Sequence, residues 1–216
     1  IGNRMFSEYG RETQLCLIEG ASAEQIDRVM EDYGMAMGPL AVSDLAGIDI
    51  GYKVREGLSE EEKGDPRSFC VADALVEQGR LGQKTGAGFY QYDPQTRARI
   101  SDPEVSALIE AKAAEYNVSR RDFSDEEIRD RLLLPLINEG AKILQEGIAQ
   151  RSGDIDVVYV FGYGFPVYHG GPMQYADHLG LETVYQKLNA LHQQSGEDYW
   201  QPADLIKTLA ETGSSF

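Results

Sequence analysis

The first residues with a claim on chemistry form the run Gly82-Gln-Lys-Thr-Gly-Ala-Gly88. Glycines beside a lysine suit a phosphate cradle, in which backbone N–H groups approach an anion closely and a cation stands by. The order of elements is wrong for that job. A dinucleotide loop follows a strand and opens a helix, whereas Gly86 and Gly88 precede the extended-looking Phe89-Tyr-Gln-Tyr92. Lys84 also lacks the preceding G-x-x-x-x-G of a P-loop. The run therefore reads as a structural turn with positive φ. His169, His178 and His192 never bracket a glutamate at i, i+4, and no G-x-S-x-G elbow exists for His178 and Asp177 to serve. They read as surface or capping side chains, with no metal site. Cys16 and Cys70 show no metal spacing and are too few for a disulfide scaffold. Cys16, in an apolar helical run, reads as a buried thiol, which points to a reducing compartment.

Four aspartates and an asparagine remain. Asp27 and Asp156 each follow an isoleucine early in a helical stretch, where a carboxylate favours the positive end of the helix dipole. Asp44 and Asp177 follow Gly-Pro by the same interval. Their duplication implies a shared structural task, since two copies of one active site would be an odd arrangement. Tyr159, Tyr163, Tyr168 and Tyr175 are expected to bury rings and tether hydroxyls between repeats. Asn3 stands at the start of the first helix, before Arg4, and taken alone reads as a helix cap.

The elements that position these residues occur twice. E-G-A-S-A-E-Q-I-D from Glu19, with Tyr33-Gly34, is answered by E-G-I-A-Q-R-S-G-D-I-D from Glu146, with Tyr163-Gly164. Gly38-Pro39, Asp44, Gly47 and Tyr52 recur 133 positions later as Gly171-Pro172, Asp177, Gly180 and Tyr185. One unit has been duplicated, and each copy offers an apolar face the other can bury. Apolar periodicity predicts a helix over 3–18, another after the capping box at Ser22, and a third opened by Pro39 and stopped at Gly47. A helix carrying Tyr52 and Val54 follows, then a charged loop from Ser59 to Pro66, then a short helix after Ser68. Pro94 to Asp102 reads as a linker and Pro103 as a helix start. In the second copy Ser124 caps a long helix with Pro135 inside it, where proline should kink the chain. Asp154 starts the next helix, Phe161 to Gly171 reads as a loop, and helices after Pro172, over 181–193 and over 202–212 close the chain. The class is all-α. The expected domains are a first repeat at 1–93, a linker with one helix at 94–125, and a second repeat at 126–216.

The bulk composition narrows the partners. The 216 residues carry a formal charge of -16 and 42% hydrophobic residues. That is enough for a packed core, and the charge argues against nucleic acid and anionic membrane surfaces. No apolar run approaches a membrane span, and no signal peptide is visible. Ile1 begins the chain without methionine, in what reads as the first turn of a helix, so a fragment of a longer protein is expected.

Ile1-Gly-Asn-Arg4, E-G-A-x-x-x-x-I-D, Gly38-Pro39 with Asp44 and Gly47, and G-Q-K-T-G-A-G-F-Y together resemble the C-terminal domain of the 3-hydroxyacyl-CoA dehydrogenases. The second copy, with D-I-D-V-V-Y-V-F-G-Y-G-F-P and H-G-G-P-M, resembles the extra repeat of the multifunctional β-oxidation enzymes, most of all the peroxisomal bifunctional type and its bacterial relatives. The resemblance covers nearly the whole chain. It implies a fold like the C-terminal domain of 6-phosphogluconate dehydrogenase, with the two repeats packed as an intramolecular pseudo-dimer and the chain monomeric. It also implies oxidation of (3S)-3-hydroxyacyl-CoA with NAD, held by a preceding Rossmann domain that also carries a His-Glu pair. These residues contain neither, so no complete catalytic set and no cofactor-binding residue is expected among them, and the chain alone should be inactive. The helical domain of the family closes over the acyl-CoA and contributes an asparagine near the reacting oxygen; Asn3 matches that position and is the one expected substrate-binding residue. The implied compartment is the cytoplasm in a bacterium or the peroxisome in a eukaryote. The alternative is a non-catalytic helical interaction module; a hydrolase is disfavoured because no nucleophile is set up.

Overall fold

The computed structural model describes residues 1–216. Twelve α-helices make up the chain: α1 (Gly2–Glu19), α2 (Ala23–Tyr33), α3 (Pro39–Ala46), α4 (Asp49–Glu56), α5 (Glu60–Lys63), α6 (Cys70–Glu77), α7 (Pro103–Glu115), α8 (Asp125–Gln145), α9 (Ser152–Gly162), α10 (Pro172–Leu179), α11 (Leu181–Ser195) and α12 (Asp204–Thr212). Between α6 and α7, β1 (Gln91–Tyr92) pairs antiparallel with β2 (Arg99–Ile100). The protein is all-α, as its periodicity predicts.

Three local expectations need correction. The charged stretch after Ser59 is α5, closed by a capping box in which Ser59 and Glu62 satisfy each other's amides. Its Glu-Glu-Glu-Lys sequence has no apolar face, so hydrophobic periodicity is silent while the cap alone organises the turn. The helix expected from Asp154 starts at Ser152, and Asp154 reaches back to the Arg151 amide at 3.1 Å. The expected linker holds a strand, β2. Pro135 lies inside α8 as expected.

Contacts group the chain into two compact units. One joins Ile1–Tyr9, Tyr33–Ala36 and Asp130–Phe216; the other joins Gly10–Asp32 and Met37–Arg129. In the second of these, Leu15, Ile26, Met30, Leu40, Leu75 and Phe89 are buried. The open C-terminal carbonyls of α1 are capped by chain that precedes α8. The Arg120 guanidinium donates to the carbonyls of Leu17 and Ile18 at 3.1 and 3.2 Å, and the Arg121 amide donates to Glu19 O at 2.9 Å. Gly20 permits that approach, because at φ 142 a Cβ would sit 1.9 Å from Arg121 O. At Ser22 and Ser124 the serine half of each capping box is made. Each serine accepts the expected amide at 3.1 Å; Gln25 also donates to Phe123 O, and Glu127 accepts from Arg121.

In the unit containing most of the second repeat, Met5, Tyr159, Phe165, Met173, Leu188 and Trp200 are buried. Asn138, also buried, is satisfied by backbone before α12: it accepts from the Ala203 amide at 2.8 Å and donates to Gln201 O at 2.9 Å. A buried carboxamide with both ends paired fixes register at little cost in stability.

Candidate functional site

The duplicated carboxylates act as braces between elements. Asp27 lies inside α2 but serves the start of α3: it accepts from the amides of Leu40 at 2.8 Å and Ala41 at 3.0 Å. Asp156 does the same from α9, accepting from Met173 at 2.8 Å and Gln174 at 3.2 Å at the start of α10. The expectation that these aspartates favour the dipole of their own helix is therefore corrected. Each stabilises the positive end of the next helix, where orphan amides await an acceptor. Asp27 also accepts from the Tyr90 hydroxyl at 2.9 Å and faces Arg99 at 3.2 Å. Its burial pushes its carboxyl up to about 6. Burial raises Asp156 as well.

The residues that follow the glycine-rich run cradle an anion, and that anion is Asp44. The amides of Phe89 and Tyr90 donate to its carboxylate at 2.9 and 3.1 Å, and the Tyr92 hydroxyl donates at 2.9 Å. Asp44 is fully buried, and burial raises its carboxyl. Gly86 has φ 78, as a positive-φ turn requires. Gly88 does not. It is glycine because a Cβ there would sit 1.9 Å from the Asp44 carboxylate, so close approach, not backbone conformation, selects it. Lys84 forms an ion pair with Asp49, which Lys53 also meets at 2.8 Å; together they pull that carboxyl down to about 2. The counterpart Asp177 accepts from the Phe216 amide at 3.0 Å. The duplication thus runs further than Tyr185. Thr85-Gly-Ala-Gly-Phe89 recurs as Thr212-Gly-Ser-Ser-Phe216, displaced by 127 positions, as are Arg4 and Arg131, Glu12 and Glu139, and Glu19 and Glu146. A self-comparison allowing a shift between segments would have found it.

Asn3 stands where the first turn of α1 meets the end of α9, within one compact unit. It is the second residue of a helix that begins at Gly2, and its Oδ1 accepts from the Tyr163 hydroxyl at 2.8 Å. The cap reading is therefore corrected: the carboxamide is held by a side chain 160 residues away, not by the amides of its own helix. Asn3 is exposed, and Nδ2 carries two N–H donors turned to no protein acceptor. Beside it, Arg4 pairs with Glu139 and with Glu146, the latter at 2.7 Å through Nη2, and both carboxylates hold the guanidinium in its charged form.

The tyrosines divide. Tyr159 is buried and donates to Gly2 O at 3.3 Å; Tyr168 donates to Tyr33 O at 2.7 Å, yet its ring is exposed, against expectation. His169 is half-buried, stacked on Tyr33 with centroids 4.5 Å apart, and burial lowers its pKa. His178 is exposed, and His192 meets Glu197 O through Nδ1 at 2.9 Å. Cys16 and Cys70 are both buried thiols. A pocket of 630 Å³ opens beside Asp177, Leu181, Glu182 and Ser214, away from Asn3.

A helical repeat braced by an Ile-Asp carboxylate, a Gly-Pro helix start and a glycine turn, found twice in one chain, defines a class of protein. The family model for the 3-hydroxyacyl-CoA dehydrogenase C-terminal domain matches residues 1–92 and 128–215, and the chain belongs to that family. Among curated proteins it is similar to the peroxisomal bifunctional enzyme of Danio rerio, 42% identical over 99% of this chain and 32% of that protein, and to that of Homo sapiens, 41% identical over 99% and 31%. It is also similar to the fatty acid oxidation complex subunit alpha of Idiomarina loihiensis, 37% identical over 99% of this chain and 29% of that one. The chain thus spans about a third of the length of these relatives. Among solved structures, the dehydrogenase part of multifunctional enzyme 1 from C. elegans superposes with a TM-score of 0.76 at 29% identity, covering 95% of this chain and 46% of that one. The 3-hydroxybutyryl-CoA dehydrogenase of Escherichia coli shares the fold, with a TM-score of 0.68 at 19% identity. No helix is long and apolar enough to cross a membrane.

Proposed function

We propose that this chain is the helical, substrate-side part of an NAD-dependent (3S)-3-hydroxyacyl-CoA dehydrogenase of fatty-acid β-oxidation, in a bifunctional hydratase/dehydrogenase, and that Asn3 is its contribution to the acyl-CoA site. The chain is read as a monomer of two repeats, 1–93 and 126–216, joined by 94–125. The family match over 1–92 and 128–215 supports that division. The compartment follows the relatives: the peroxisome in a eukaryote, the cytoplasm in a bacterium.

The observation that carries the role of Asn3 is a carboxamide fixed by its oxygen with its N–H donors outward. Such a group donates to an acceptor, and a substrate oxygen that gains negative character is the acceptor it stabilises best. The glycine-rich run offers NAD no phosphate cradle: the amides of Gly82, Thr85, Gly86 and Gly88 donate to carbonyls within 82–90, and those of Phe89 and Tyr90 hold Asp44. Cofactor binding is therefore assigned to another part of the enzyme. In the dehydrogenase that carries this chain, Asn3→Ser is expected to keep the melting temperature. Serine is tolerated at this exposed position in the first turn of α1 but is too short to reach the same atoms. Turnover of 3-hydroxyacyl-CoA, followed by NADH absorbance, is expected to fall at least tenfold, about 1.4 kcal/mol of transition-state stabilisation. Wild-type turnover from a normally folded variant would remove Asn3 from the site.

A further inference from the structure

The second repeat reaches Asn3 through one atom. The Tyr163 hydroxyl donates to Asn3 Oδ1 at 2.8 Å. Its ring is fixed on both sides, stacked on Tyr159 with centroids 4.8 Å apart and planes at 18°, and set against Phe6 at 5.5 Å. The residue before Asn3 is shaped to this ring. A Cβ on Gly2 would lie 2.4 Å from both Cε2 and Oη of Tyr163. Gly2 has no positive φ, so its lack of a side chain is explained by the ring and not by backbone conformation. Tyr159 donates to the Gly2 carbonyl at 3.3 Å. Two stacked tyrosines, Tyr159 in α9 and Tyr163 at its C-terminal cap, therefore hold the backbone just before Asn3 and the side chain of Asn3 itself.

An exposed asparagine without such a contact samples several rotamers, and its carboxamide can turn over, exchanging a donor for an acceptor at the same place. With Oδ1 occupied, the outward face is donor only. We propose that Tyr163 is a positioning residue for Asn3: its hydroxyl fixes the carboxamide so that Nδ2 alone meets the substrate oxygen. This rests on the reading of Asn3 above. Without the hydroxyl, the amide oxygen can face outward and repel the oxygen it should stabilise, so the loss falls on turnover more than on binding.

The test is a cycle of Tyr163→Phe, Asn3→Ser and the double variant in the dehydrogenase that carries this chain. Phenylalanine keeps the ring against Gly2 and Tyr159 and removes only the donor. Tyr163→Phe is expected to keep the melting temperature, to leave KM for 3-hydroxyacyl-CoA within about twofold, and to lower kcat roughly fivefold, the tier of a lost neutral hydrogen bond. Added to Asn3→Ser, it is expected to change kcat by less than about twofold, because both act through one contact. Wild-type kcat from Tyr163→Phe alongside a tenfold loss from Asn3→Ser would overturn the role of Tyr163 and leave that of Asn3 standing. Effects that multiply in the double variant, or a fall in kcat matched by a fall in melting temperature, would also overturn it. Full turnover from Asn3→Ser would sink the reading of Asn3 itself, and this inference with it.

Discussion

The two copies keep the same frame and use it differently. Displacement by 127 carries Asn3 onto Asp130, so the amide of the first copy becomes a carboxylate in the second. Asn3 has its oxygen fixed and its N–H donors outward, whereas Asp130 is engaged in an ion pair with Lys187. A carboxylate bound to a lysine offers no N–H donor to a substrate oxygen. The second copy has a carboxylate at the equivalent place and supplies Tyr163, whose hydroxyl holds the first copy's asparagine. The braces diverge in the same sense. Asp44 is fully buried under three donors, while Asp177 is half-exposed and accepts from Phe216. Asp27 has a tyrosine hydroxyl and an arginine beyond its two helix amides, and Asp156 has the amides. Duplication preserves the carboxylate first and its surroundings second, because a helix start needs its acceptor whatever packs outside it.

The largest test of that comparison is Asp44→Ala against Asp177→Ala. Removing Asp44 leaves two buried amides and a tyrosine hydroxyl without their acceptor, at about 1–3 kcal/mol per group, so a loss on the order of 4 kcal/mol is expected from urea unfolding. Asp177→Ala is expected to cost about 1 kcal/mol or less, since water can replace the carboxylate at a half-exposed amide. Equal losses would break the asymmetry.

Next in size is a pH dependence. Asp27 is raised from 3.8 to about 6 when folded, so between those values the folded chain holds a proton that the unfolded chain has released. The sign follows: this site contributes most below pH 4, and its contribution is lost as pH rises through 6. The stability difference between wild type and Asp27→Asn should therefore shrink by up to about 3 kcal/mol from pH 4 to pH 7. The asparagine side chain does not titrate, so the slope of the difference with pH carries the test. A difference that widened with pH would reverse the assignment.

The smallest effect sharpens the comparison instead of dividing it. Gly86 and Gly213 occupy equivalent left-handed turns at φ 78 and 64, each with open space where a Cβ would go. Alanine at either is expected to cost about 1 kcal/mol, from backbone conformation alone. A much larger loss at Gly86 would mean that the turn does more in the first copy than in the second.

Much of this was legible in the chain. Helix starts at Pro39, Pro103 and Pro172, stops at Gly34 and Gly47, and the all-α class follow from local preference, because proline, glycine and capping side chains act within one turn of where they stand. The repeat was legible too, since register in Gly-Pro, Asp, Gly and Tyr survives without any structure. What Asp27, Asp44 and Gly88 do was not. Asp27 serves amides 13 and 14 residues on, and Asp44 serves amides 45 and 46 residues on. No local pattern says which helix start a carboxylate will reach. The same holds for Asn3. Its place in the first turn pointed to a cap, and the partner that holds it lies 160 residues away. Local sequence decides which backbone groups are left wanting a partner. Only the packed chain decides which side chain comes close enough to supply one.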